Sequence, residues 1–204
     1  MAEIIRLEPP NRDEDGAGFL DMYLREWVYL NAEPLRYLLP RPYEWARIDI
    51  RMVDPAKVFP TAKYVLRKNL ARIAVLADEL AKEDVDIFNL RGVVKIRGGE
   101  YICPPILEVW GEAPYNGTPV IVDGAHRLYL ARQRGIQISC VEISGNITSM
   151  LPVLPLKGWH EVLEQDTVPE DKRNYHPGIP GNWQPHELYR QRFHGSGGPR
   201  ITSS

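Results

Sequence analysis

The residues best placed to do chemistry lie in one stretch, Pro119 to Ile143 (PVIVDGAHRLYLARQRGIQISCVEI). An apolar strand runs into Asp123-Gly124, and a helix is expected to open at Ala125, His126 and Arg127. The N–H groups of a helix's first turn have no intrahelical partners, and the helix dipole places partial positive charge there. Gly124 would let a ligand come close to the backbone, and His126 and Arg127 add side-chain donors. Such a start suits a phosphate or another oxyanion. The plainer alternative is that Asp123 simply caps the helix.

Phosphoryl transfer needs aligned phosphates, a metal or cationic clamp, and a carboxylate near the acceptor hydroxyl. Three carboxylates are candidates: Asp123 beside the cradle, Asp54 at the end of an expected strand, and Glu108 on a neighbouring one. Each also reads as a cap, turn or surface residue. Lys63, Arg67, Lys68 and Arg72 form a basic group whose helical spacing could bring cations over a triphosphate, although a solvated face explains it as well. Near the C-terminus, His160, His176, His186 and His194 are sixteen, ten and eight residues apart, which fits no zinc pattern, so no metal site is expected. Aromatics interleaved with Lys172, Arg173, Arg190 and Arg192 could stack on a base. The preferred reading is an arm that wraps its own domain and buries Trp159 and Trp183. Cys103 and Cys140 stand in apolar strand sequences, form neither a disulfide framework nor a metal knuckle, and are expected to be inert.

The elements that must position these residues are short. Arg47 to Val53 alternates charged and apolar residues like a half-buried strand, and Asp54-Pro55 ends it. Asn69 to Glu83 places Leu70, Ile73, Ala74, Ala77, Leu80 and Ala81 on one helical face. Val93 to Arg97 and Glu100 to Cys103 flank Gly98-Gly99 as a hairpin would. Ile106 to Trp110 and Pro119 to Val122 read as strands. The helix after Gly124 should end near Gly135, with Ile136 to Ile143 returning as a strand. The expected class is α+β, a small mixed sheet with helices packed at one side.

Charge divides the 204-residue chain into three. Residues 1–46 hold five basic and nine acidic groups, 47–150 fourteen and twelve, and 151–204 six and six. The first part is expected to be a helical extension, with Phe19 to Leu30 as its helix. The second is the phosphate-binding domain. The third is a proline-rich arm wrapping that domain, with a flexible tail from about 195. It holds little periodic apolar sequence from which to build a core of its own. The 44% hydrophobic share argues against a disordered chain, and a net charge of −2 offers no global basic surface for nucleic acid. With no signal peptide and no apolar run long enough for a bilayer, a soluble cytoplasmic protein is expected.

Strand, Asp123-Gly124-Ala125-His126-Arg127, helix, glycine, strand, preceded by the 69–83 helix and Pro105-Ile-Leu-Glu-Val, resembles the ParB/sulfiredoxin superfamily over about residues 47–145. The resemblance implies a nucleotide phosphate at this helix start, held by Gly124, Ala125, His126 and Arg127. Asp123 and His126 are then the catalytic candidates, and the cofactor would be ATP, ADP or CTP with Mg²⁺. Sulfiredoxins place a nucleophilic cysteine where this chain has Ala125, which argues against sulfinic-acid repair. Chromosome-partition members carry Gly-Glu-Arg-Arg here and a helix-turn-helix after it; this chain has neither, so DNA is not the expected partner. Free-serine kinases, with Asp-Gly-His-His-Arg, are the nearest branch. They also use a glutamate on the loop after the first strand, and the matching loop, Phe59 to Tyr64, has no acidic residue.

Two functions follow as expectations. One is a nucleotide-dependent phosphotransferase, kinase-like, or a hydrolase, acting on a small molecule. The other is a nucleotide-gated regulatory or interaction protein without turnover, which the missing glutamate and the extra arms favour. A nucleic-acid-processing role, nuclease included, comes third.

Overall fold

The computed structural model describes residues 5–6, 45–91, 94–95, 101–102, 104–111, 117–146 and 153–175. In chain order the strands are β1 (Ile5–Arg6), β2 (Trp45–Val53), β3 (Tyr64–Leu66), β4 (Val94–Lys95), β5 (Tyr101–Ile102), β6 (Ile106–Trp110), β7 (Thr118–Asp123), β8 (Ile138–Asn146), β9 (Val153–Leu154), β10 (Leu163–Gln165) and β11 (Asn174–Tyr175). The described helices are α1 (Arg67–Ala81) and α2 (Ala125–Gln133), with 3-10 turns at Pro55–Lys57 and Trp159–Glu161. The expected 19–30 helix, the Gly98-Gly99 turn, Cys103, Trp183 and the tail from 195 lie outside the described residues.

The central sheet has the order β2-β8-β6-β7 and is mixed: β6 runs parallel to β8, and the other pairs are antiparallel. Side chains alternate between its faces. Leu107, Ile121, Ile138 and Cys140 point to one face and share a core with Leu70, Ile73 and Leu80 of α1 and Leu128 and Ala131 of α2. Ile106, Val120, Val141 and Ile143 point the other way and are buried as well. This is the α+β class that the sequence implies.

The alternating charges of β2 find a use on the helix-side face. Arg51 lies 3.5 Å from Asp49 and 3.4 Å from Glu142 of β8, so the row of charges is internally paired. The free edge of β7 is not left open, as edge strands seldom are. Phe59 N–H donates to Pro119 O at 2.9 Å, and Ile121 N–H donates to Phe59 O at 3.0 Å, so the 58–61 segment adds a short parallel rung.

α2 ends where its sequence says it should. Gly135 takes φ +64°, and Ile136 N–H donates back to Ala131 O at 3.0 Å, satisfying a carbonyl of the last turn. The chain can then turn directly into β8.

Residues 153–175 are held against the 59–66 segment. β10 pairs in parallel with β3, Lys63 N–H donates to Lys172 O at 3.0 Å, and Leu163 N–H donates to Lys63 O at 2.9 Å. Trp159 is buried, donates its indole N–H to Pro55 O at 2.7 Å, and sits 5.8 Å from the Tyr129 ring of α2.

Candidate anion site at the start of α2

Gly124 is the N-cap of α2, with φ +84°, and no side chain caps the helix. Asp123 therefore does not cap it; it closes β7 opposite Ile106. Glycine is required at 124 for two reasons. The backbone is left-handed there, and a Cβ would stand 2.6 Å from Pro105 Cβ and 2.9 Å from its Cα. The space freed by the missing side chain is thus filled by Pro105, and any ligand must approach from another direction.

Arg127 and Leu128 both donate their N–H to Gly124 O, at 3.0 and 3.1 Å. The tight first bond leaves Ala125 and His126 as the N–H groups that α2 cannot itself satisfy.

The imidazole of His126 is engaged through Nε2. Its Nε2 accepts the Leu66 N–H at 2.9 Å and lies 3.4 Å from Asn69 Nδ2. Leu66 is the N-cap of α1, which has no side-chain cap of its own. His126 supplies one from the neighbouring helix. An imidazole that accepts through Nε2 is neutral and carries its proton on Nδ1.

Arg127 is the unusual residue. Sequence reasoning puts it at the mouth of the cradle; the structure puts it inside, 1% exposed. Its Nε, Nη1 and Nη2 have no hydrogen-bond partner. A guanidinium cannot shed its charge, so this is a permanent cation with unsatisfied donors. Leaving it so costs more than the roughly 1–3 kcal/mol of an ordinary buried unpaired group. Residues of a first turn point back toward the helix N-terminus, which directs Arg127 to the same end as the Ala125 and His126 N–H groups.

Among the described residues no carboxylate is ion-paired with the Arg127 guanidinium. Cys140 and Glu142 lie on the helix-side face of β8, and both Arg127 and Glu142 act electrostatically on the Cys140 thiol. Glu142 is ion-paired with Arg51 instead. Burial pushes the Cys140 thiol up to about 12, against the opposing pull of Arg127, so the thiol stays protonated. An inert cysteine is what its apolar strand implies.

The 59–66 segment runs alongside the β7–α2 junction. Thr61, 2% exposed, donates its hydroxyl to Ile121 O at 3.0 Å and accepts from Arg173 Nη1 at 3.0 Å. Lys63 Nζ meets Asp171 at 2.6 Å, and Arg67 Nη1 meets Asp166 at 2.8 Å. Glu164 accepts from Tyr129 Oη at 3.1 Å and Gln133 Nε2 at 2.9 Å. Burial, followed by that bond, raises the Tyr129 hydroxyl pKa.

The residues 24–162 match the ParB CE domain family, which is more than half of the chain. The chain belongs to that family. No curated protein and no solved structure matches it. In this ParB CE domain Asp123, Gly124, Ala125, His126 and Arg127 come together at one junction. Asp54 does not join them; it caps the 55–57 turn, accepting from Ala56 N–H at 3.0 Å. Glu108 is buried rather than on the surface, faces away from α2, and accepts from Trp110 Nε1 at 3.2 Å. Lys68 and Arg72 lie on the exposed side of α1. Thr61, Pro105 and Glu142 were not legible as site residues, because an isolated threonine, proline or strand glutamate carries no local signal. Among the described residues no three His, Cys, Asp or Glu side chains are grouped to hold a metal.

Proposed function

We propose that this ParB CE domain binds the phosphate of a nucleotide at the start of α2. Arg127 is the buried counter-charge, and the Ala125 N–H at the start of α2 is the backbone donor. The observation that carries the reading is the guanidinium of Arg127, sealed from water with all three nitrogens unpartnered. A phosphate oxygen would supply the acceptors and the negative charge that the interior lacks. Because Arg127 is sealed, ligand uptake must shift part of its cover. ATP, ADP and CTP all satisfy this chemistry. A Mg²⁺ accompanying them would be held largely by their phosphates, as is usual for that ion.

The arrangement supports binding better than turnover. His126 Nε2 is committed to Leu66, and of the three carboxylates expected as bases Asp54 caps a turn and Glu108 faces away, so Asp123 is the one of the three beside the cradle. The second reading, an NTP-dependent phosphotransferase or hydrolase acting on a small molecule, rests on Asp123 serving as the base. Calorimetric titration with ATP, ADP, CTP and GTP in the presence of Mg²⁺ tests the first reading. Saturable binding that is lost in Arg127→Ala supports it, and no binding by the wild type refutes it. Steady-state hydrolysis of the same nucleotides separates the two readings. Turnover abolished by Asp123→Asn favours the enzyme, and its absence favours a nucleotide-gated regulatory protein.

A further inference from the structure

We infer that the outer edge of β2 docks a second copy of this chain, the two β2 strands pairing antiparallel about Ile50. β2 stands at the end of the sheet order, runs for nine residues without a register shift, and pairs with β8 alone among the described residues. The opposite edge, β7, is covered by the 58–61 segment, and among the described residues β2 has no such cover. A long, regular, open edge is a template for another strand.

The groups this edge offers follow from β8. Val141 N–H donates to Pro105 O, on the side away from β2. Ile50, directly opposite Val141, therefore turns its own N–H and C=O outward, as do residues 48 and 52. Two identical antiparallel strands can match these outward groups only about an axis through a residue. Charge selects which residue. About 49, Arg47 would face Arg51 and Asp49 its own copy; about 51, Arg51 would face its own copy. About 48, Arg47 would face Asp49, but that pairing runs through Ala46, which is already engaged. About Ile50, Asp49 of each copy faces Arg51 of the other. These are non-hydrogen-bonded pairs, in which cross-strand side chains are closest.

The same register relieves a local imbalance. Within one chain Asp49 stands directly opposite Glu142, and the two carboxylates share Arg51, at 3.5 and 3.4 Å. Arg47 reaches Asp49 as well, from an exposed position. The second copy sets a further arginine beside Asp49 and brings its strand against Met52, which is 40% exposed. Only residues 48–52 pair, so the contact is small and the dimer weak and reversible.

The test is sedimentation velocity of the full chain at low and high concentration. The samples are wild type, Asp49→Arg, Arg51→Asp, an equimolar mixture of those two variants, and Ile50→Pro, with thermal melts confirming that each is folded. The wild type should move reversibly toward twice the monomer mass as concentration rises. Either charge variant alone makes both cross-strand pairs repulsive and should weaken self-association by about tenfold. In the mixture each new charge faces its opposite, and association should return. Ile50→Pro removes an outward N–H while sparing the ladder to β8, and should stay monomeric. A wild type that is monomeric throughout would overturn the inference. So would a dimer that persists undiminished in both charge variants, or a loss in both that the mixture does not recover.

Discussion

His126 Nε2 accepts the N–H of Leu66 at 2.9 Å, so the second residue of α2 caps the start of α1. The two helix N-termini are therefore tied at one point.

Replacing His126 by Ala leaves the Leu66 N–H without this acceptor in a part-buried position. The expected cost is about 1–2 kcal/mol in chemical denaturation. His126→Gln, whose amide oxygen can reach the same N–H, should recover most of it. Equal losses in both variants would show that the imidazole acts through packing instead.

The arm is expected to be part of the domain's stability. Trp159 is buried against Tyr129 and donates to Pro55 O across 104 positions of sequence. Trp159→Ala should cost about 3–5 kcal/mol, the usual range for a buried tryptophan, with one cooperative transition retained. A change below about 1 kcal/mol would mean that the arm contributes little.

Much of this fold was open to the sequence. The charged–apolar alternation of β2, the apolar face of α1, the Gly135 stop and the return of the chain as a strand, β8, all follow from local patterning. The α1 boundaries moved by two residues, to Arg67–Ala81, because the helix start is set by a contact with His126 that no local pattern records. For the site, the residue types were legible and their environments were not. Arg127 reads as a donor at the surface because arginine is seldom buried, and only the tertiary structure places it inside. Gly124 reads as clearance for a ligand, whereas the clearance is for Pro105, some nineteen positions upstream. Thr61 and Arg173 are 112 positions apart and meet only because the arm folds back.

Cys140 gives a pH signature. Its thiol pKa is raised from 9.0 to about 12 by burial, so the folded state keeps the proton that the unfolded state gives up. Below pH 9 both states are protonated and the thiol adds no pH dependence. Above it the unfolded state binds fewer protons, and stability should fall by about 1.4 kcal/mol per pH unit until the folded thiol ionises. Cys140→Ala should lack this part of the alkaline slope in denaturation curves between pH 9 and 11. Identical slopes would contradict the assignment. Alkylation at pH 8, followed by peptide mapping, should leave Cys140 unmodified in the folded protein.

If Arg127 is a buried cation kept for an anion rather than for the fold, removing its charge should not harm the ligand-free protein. Arg127→Met retains the volume and removes the charge. Thermal melts of wild type and Arg127→Met, with and without saturating Mg²⁺-nucleotide, measure this directly. Without ligand, Arg127→Met should melt no lower than wild type, since replacing buried charge by an apolar side chain is often neutral or stabilising. Nucleotide should raise the wild-type Tm, by the equivalent of about 2.7 kcal/mol at a hundredfold excess over Kd, and leave the variant unmoved. A variant that melts far below wild type without ligand, or one that keeps the full nucleotide-induced rise, would contradict that role for Arg127.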